Sequence, residues 1–191
     1  MLLQQVALPR LPENARVQAD ALHAVLQSMS TDETTLQRTL DDGYRLMEMR
    51  HAPLAEALAL ELSEVDDRGL QSVTYYLAVT IYLSFVESFG SRLLPISEQQ
   101  IGELAGQLVA DGELRNLGHC GDSYSEDLVA MAQPHLCRFA REEADRADEV
   151  RPKGGSDDES HAVPFGALLL EIIALSLAVD ANPLDSHLLR T

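Results

Sequence analysis

Glu48-Met49-Arg50-His51 sets a carboxylate and an imidazole at an i, i+3 spacing, which on a helix places both on one face. Helical bundles use that spacing to hold metal ions in their cores, and Glu87 and Glu171, each interrupting an apolar stretch, would supply further oxygen ligands. The chemistry on offer is metal or small-ligand binding, or acid–base work by a buried carboxyl of raised pKa. A carboxylate-bridged site needs a second Glu-x-x-His, and the chain has no other. Glu48 and His51 therefore read more simply as surface or structural residues, and Glu87 and Glu171 as exposed carboxylates or partners of an arginine such as Arg92.

His119, Cys120, His135 and Cys137 form a second set with ligand chemistry, suited to zinc. Adjacent residues such as His119 and Cys120 seldom converge on one ion, and neither Cys-x-x-Cys nor His-x-x-x-His occurs. Buried free thiols and exposed histidines are the simpler expectation. Gly121-Asp122-Ser123, with Asp185 and His187 further on, offers the residue types of a serine nucleophile set. Such a serine follows a strand, none is predicted here, and Ser123 is better placed as a helix cap. Walker and dinucleotide-type glycine loops are absent. No catalytic set is complete, and no cofactor is expected.

The elements that would position these groups are helices. Leu occurs 32 times against 12 Val and 5 Ile, so straight-chain helix formers far outnumber β-branched residues. The fold expected is all-α, a single domain over residues 1–191 with about six to seven helices around a central hydrophobic one at about 70–94. In that central stretch Ser72, Tyr76, Thr80, Ser84, Glu87 and Ser91 recur every three or four residues along one face. Apolar residues fill the rest of its circumference, which requires burial on several sides. Tyr75, Tyr76 and Tyr82 on it either line a pocket between helices or are core residues with hydroxyls at the boundary.

Around the centre, residues 1–11 read as an extended arm. Pro12 suits the first position of a helix whose stripe is Leu22, Val25, Leu26 and Met29. Ser30 to Glu33 fits a capping box opening a helix over about 31–51, and Pro53 opens a shorter one at 54–62. Ser97 to Gln100 repeats the box, and its helix is expected to stop at Gly112, ahead of a Gly-rich loop over 112–123. Ser123 and Glu126 form a third box, opening a helix to about Val150 that Pro134 should kink or break. Residues 151–160 have the composition of an acidic, Gly-containing linker. The last helix, Phe165 to Val179, carries a small stripe of Ala167, Glu171, Ala174 and Ala178 and is expected to pack beside the central helix. That stripe is also compatible with homo-oligomer formation.

The formal net charge of -17 narrows function most. It repels phosphate backbones and anionic lipid, so neither nucleic acid nor membrane is an expected partner, and the lack of Trp argues against base-stacking platforms. The start, MLLQQVALPRLPE, has no basic region ahead of its short apolar run, and with two cysteines the reading is cytoplasmic. The leading functional expectation is a non-catalytic acidic protein that neutralises or escorts a basic protein partner, in the manner of an immunity protein, antitoxin or secretion chaperone. The competing explanation is charge kept for solubility. Acids placed to contribute are Asp32, Glu33, Asp41 and Asp42, then Glu61, Glu64, Asp66 and Asp67, then Glu142, Glu143, Asp145, Asp148 and Glu149. The alternative is a metal- or small-ligand-binding helical-bundle enzyme using Glu48, His51, Glu87 and Glu171.

Overall fold

The computed structural model describes residues 8–29, 32–116, 124–150 and 164–180. Among them are eight helices: α1 (Ala19–Met29), α2 (Glu33–Arg50), α3 (Ala52–Glu64), α4 (Arg68–Phe89), α5 (Glu98–Asn116), α6 (Tyr124–Ala132), α7 (Pro134–Val150) and α8 (Phe165–Leu177). The chain is an all-α bundle. The count exceeds the sequence expectation because Pro134 divides one helix into α6 and α7. Lacking an N–H and clashing with the preceding turn, proline ends one helix and suits the first position of the next.

Helix ends follow local chemistry. Asp32, rather than Ser30, is the N-cap of α2, its carboxylate accepting from the Thr35 amide at 2.9 Å. Ser30 itself lies outside the described residues. Asp67 caps α4, accepting from the amides of Gly69 at 2.7 Å and Leu70 at 3.2 Å. The Ser97–Gln100 box forms as expected: Gln100 N–H donates to Ser97 Oγ and Ser97 N–H to Gln100 Oε1. Three boundaries differ from expectation, one of them the end of the central helix, which falls at Phe89 rather than about 94. Pro12 leads only into a 3-10 turn, Glu13–Ala15, with α1 starting four residues later, and α5 runs through Gly112 to Asn116. The central helix stops at Phe89 because Gly90 takes a φ of +53°, a conformation side-chain-bearing residues avoid. The arm's residues 1–7, the 117–123 part of the Gly-rich loop and the 151–160 linker lie outside the described residues.

α4 is the core. Leu77, Ala78, Val79, Ile81, Tyr82 and Phe85 are fully buried, and the helix is covered by α1, α2, α7 and α8. By length and composition alone it could cross a membrane, yet 56% of its most apolar window is buried within the bundle. α8 is buried nearly all round and packs on α4 and α5. Beyond it, Leu93 and Val179 form a single antiparallel bridge, with Leu94 N–H on Ala178 O at 2.8 Å and Asp180 N–H on Arg92 O at 2.8 Å. No strand occurs among the described residues.

α2 and α4 run parallel. The Tyr75 hydroxyl reaches Leu40 O and the Tyr82 hydroxyl reaches Leu46 O, each at 3.3 Å. Between these contacts Gly43 lets the helices approach, for a Cβ there would lie 2.6 Å from Val79 Cγ1 and 3.0 Å from Leu83 Cδ1. Val79 is fully buried and β-branched, so it has little freedom to move away. Gly43→Val should lower stability by about 2 kcal/mol although valine favours a helix more than glycine does. Urea unfolding checks this, and Val79→Ala in the same chain should recover part of the loss.

Candidate functional site

Because α2 and α4 are parallel and α3 runs back between them, the start of α2, the end of α3 and the start of α4 meet at one end of the bundle. Asp32 and Glu33 arrive from the first, Glu61 and Glu64 from the second, and Asp66 and Asp67 from the turn into the third. Gln71 locks this corner, its amide donating to Leu62 O at 3.1 Å and Val65 O at 2.6 Å. Acids separated by some thirty residues of chain thus arrive at one end of the bundle.

Between the three helices lies an open groove of about 670 Å³. Leu36 and Leu40 of α2, Ala59 and Leu62 of α3, and Val73, Tyr75 and Tyr76 of α4 line it, with Gln37, Ser63, Gln71, Ser72 and Glu33 at its polar edges. Tyr75 and Tyr76 are therefore groove residues with half-buried rings, whereas Tyr82 is enclosed in the core. Burial pushes the Tyr75 hydroxyl up to about 12, helped by the Asp41 carboxylate, so it stays a neutral donor to Leu40 O. A second cleft, of about 360 Å³ between Pro9, α5 and α8, is lined by Leu94, Ile96, Leu104, Leu177 and neighbours, with Glu103 its one charged lining residue.

The acids expected to meet a partner are not equivalent. Asp32 and Asp67 are used as caps, and hydrogen bonds from Thr35 hold the Asp32 carboxyl below its ordinary value. Asp42 lies 3.7 Å from Arg45, and Asp41 accepts from Gln37. On α7 the acids meet arginines: Glu142 pairs with Arg138, and Glu143 with Arg146. Asp145, Asp148 and Glu149 share that solvent-facing half of α7, remote in sequence from the groove. Glu61, Glu64 and Asp66 form no ion pair among the described residues. Glu61 and Glu64 moreover occupy the last turn of α3, where the helix dipole disfavours negative charge and no basic residue compensates.

The four residues of the metal alternative are not brought together as a set. Glu48 and Glu87 are exposed, His51 and Glu171 are buried, and none lines either groove. Among the described residues no group of three His, Cys, Asp or Glu is arranged to hold a metal ion. His51, 2% exposed, is structural: Nε2–H donates to Leu94 O at 3.1 Å, which leaves Nδ1 to accept from the Tyr82 hydroxyl at 3.1 Å. Burial lowers its pKa, so the ring is held neutral against the bonding effect of the Leu94 carbonyl. Burial likewise pushes Tyr82 up to about 12. Glu171 corrects the expectation of exposure or pairing: it is 3% exposed, both carboxyl oxygens lack a partner among the described residues, and burial holds its carboxyl well above the ordinary range.

Cys137 is a buried free thiol, raised to about 11 by burial and so unreactive, as the simpler reading has it. His119, Cys120, the Gly121-Asp122-Ser123 stretch, Asp185 and His187 lie outside the described residues. Sequence reasoning missed Gln133. Its side chain is fully enclosed and joins three parts of the fold, accepting from Val17 N–H at 2.9 Å and donating to Ala15 O at 2.6 Å and Ser176 Oγ at 3.0 Å. No local signal marks it, because all three partners lie in remote segments of the chain. No protein-family model, curated protein or solved structure matches the chain.

Proposed function

We propose that this chain is a non-catalytic acidic binding protein that captures a basic protein partner, neutralising or escorting it, through the end of the bundle where α2, α3 and α4 meet. The observation that carries the reading is the acid at the close of α3 that forms no ion pair among the described residues. Glu61 and Glu64 oppose the helix dipole and Asp66 adds to them, so helix stability does not account for their position. Beside them lies an apolar groove able to supply the anchoring contacts that carry affinity, while the charge accelerates association. Metal or acid–base chemistry receives no comparable support, since Glu48 and Glu87 face solvent apart from His51 and Glu171.

The test is co-expression with the proteins encoded beside this one, followed by association kinetics across a salt series. A basic protein should bind, its association rate falling as salt rises. Reversal of Glu61, Glu64 and Asp66 to lysine should slow association at low salt about tenfold, whereas reversal of Glu142 and Glu143, already paired with arginine, should change it less. Capture of no basic protein, or binding indifferent to salt and to the first set of reversals, overturns the proposal.

A further inference from the structure

We infer that the groove between α2, α3 and α4 receives a short amphipathic helix with basic flanks, contributed by the partner. This rests on the binding function proposed above and adds the form of the ligand. The groove's wall on α2 is the stripe Glu33, Leu36, Gln37 and Leu40, which is i, i+3, i+4, i+7, so the opening is about two turns, or roughly 10 Å, long. Two parallel helices pinned together at Gly43 and open towards their first turns leave a trough floored by Leu36, Val73 and Tyr76.

A helix laid there presents apolar residues at the same three- and four-residue spacing and meets the ridges of α2 and α4 at ordinary interhelical distance. Glu33 lies on one edge of the groove and the Asp41 carboxylate acts on Tyr75 of its lining, which selects Lys or Arg on the flanks, while Glu61, Glu64 and Asp66 add negative potential at the same end of the bundle. Charge disfavours the other occupants. A second copy of this chain carries the same net charge of -17, and a nucleic acid or anionic lipid is repelled in the same way. A partner strand would need an exposed sheet edge, and the groove's walls are helices.

The probe is a synthetic peptide of about four helical turns, built from Leu at i, i+3, i+4 and i+7 with Lys elsewhere. A scrambled peptide of identical composition and an oligolysine of equal length serve as comparisons, with binding read by fluorescence anisotropy on the full chain. The amphipathic peptide should bind about tenfold more tightly than the scrambled one. Ala59 lines the groove but is exposed, so Ala59→Trp fills the trough without entering the core, which circular dichroism and thermal unfolding verify. That variant should weaken the amphipathic peptide about tenfold and leave oligolysine unchanged, whereas reversal of Glu61, Glu64 and Asp66 should weaken both. Equal binding of amphipathic and scrambled peptides, or indifference to Ala59→Trp, overturns the helix-in-groove inference and leaves the acidic binding function standing. No binding of any of the three peptides at low salt overturns both.

Discussion

Gln133→Ala is expected to lower stability by about 4 kcal/mol, seen as a fall of about 10 °C in Tm and a reduced urea midpoint with unchanged slope. The residue is no part of the apolar core, yet its amide is the joint between the segment before α1, the corner of α6 and α7, and α8. Val17 and Ala15 are fully buried, so truncation leaves the Val17 N–H and the Ala15 carbonyl with no water to replace the lost partner. Each orphaned group costs about 1–3 kcal/mol, and the vacated volume adds a cavity cost. Gln133→Met separates the two contributions, because it keeps most of the volume and removes the hydrogen bonds. It should retain well over half of the loss. A methionine variant within about 1 kcal/mol of the parent would show that these three bonds do not hold the corner together. The Arg16 guanidinium, which donates to the carbonyls of Met131 and Ala132 at 3.2 Å, closes the same corner from the solvent side and should not compensate for the buried amide.

Much of the bundle is legible in the sequence because its signals are local. The stripe of Leu22, Val25 and Met29 is buried in α1, Ser97 and Gln100 form the box their spacing implies, and Pro134 breaks the helix it sits in. Gly112 misleads for an equally physical reason: an isolated glycine costs a helix about 1 kcal/mol and does not stop it when the flanking residues continue the pattern. What the sequence does not carry is direction. That α2 and α4 run parallel, bringing Glu33 and Asp66 to one end, depends on packing at Gly43 and on the Tyr75 and Tyr82 bonds, all long-range. The acids Asp32 to Asp42, Glu61 to Asp67 and Glu142 to Glu149 look alike as charge runs. Spacing separates them in part, since the caps at Asp32 and Asp67 and the pairs of Asp42, Glu142 and Glu143 are local contacts; which acids come to the end of the bundle beside the groove is set by the tertiary arrangement. Glu171 is the strongest departure, because a polar residue on a stripe of alanines reads as a solvent-facing edge, and α8 has no such edge.

That burial makes Glu171→Leu stabilising. At neutral pH the variant should be more stable than the parent by about 3 kcal/mol, since two carboxyl oxygens that have no partner among the described residues are exchanged for a side chain of similar size that asks for none. Tyr82, an ionisable group whose own pKa the Glu171 charge raises, donates its one hydroxyl proton to His51 Nδ1 and so does not supply the missing bond. The pH dependence gives a sharper signature. Folding holds the carboxyl above its ordinary value of 4.5, so between that value and the folded one the native state binds more protons than the unfolded state. Stability is then fully present below about 4.5 and is lost as pH rises towards the folded value, by up to about 1.4 kcal/mol per pH unit. Glu171→Gln keeps a polar end but not the titration, and it should flatten this slope as completely as Glu171→Leu does. His51 contributes with the opposite sign. Its pKa is lowered, so its share of stability falls as pH drops below 6.5, but that share is common to parent and variants and cancels in their difference. Unfolding measured across pH for the three chains therefore isolates the buried carboxyl. Because Glu171 lines neither groove, the stabilised chain should bind the amphipathic peptide unchanged. A stabilised chain that no longer binds would instead mark Glu171 as a destabilising residue retained for function, and would tie α8 to the acidic end of the bundle.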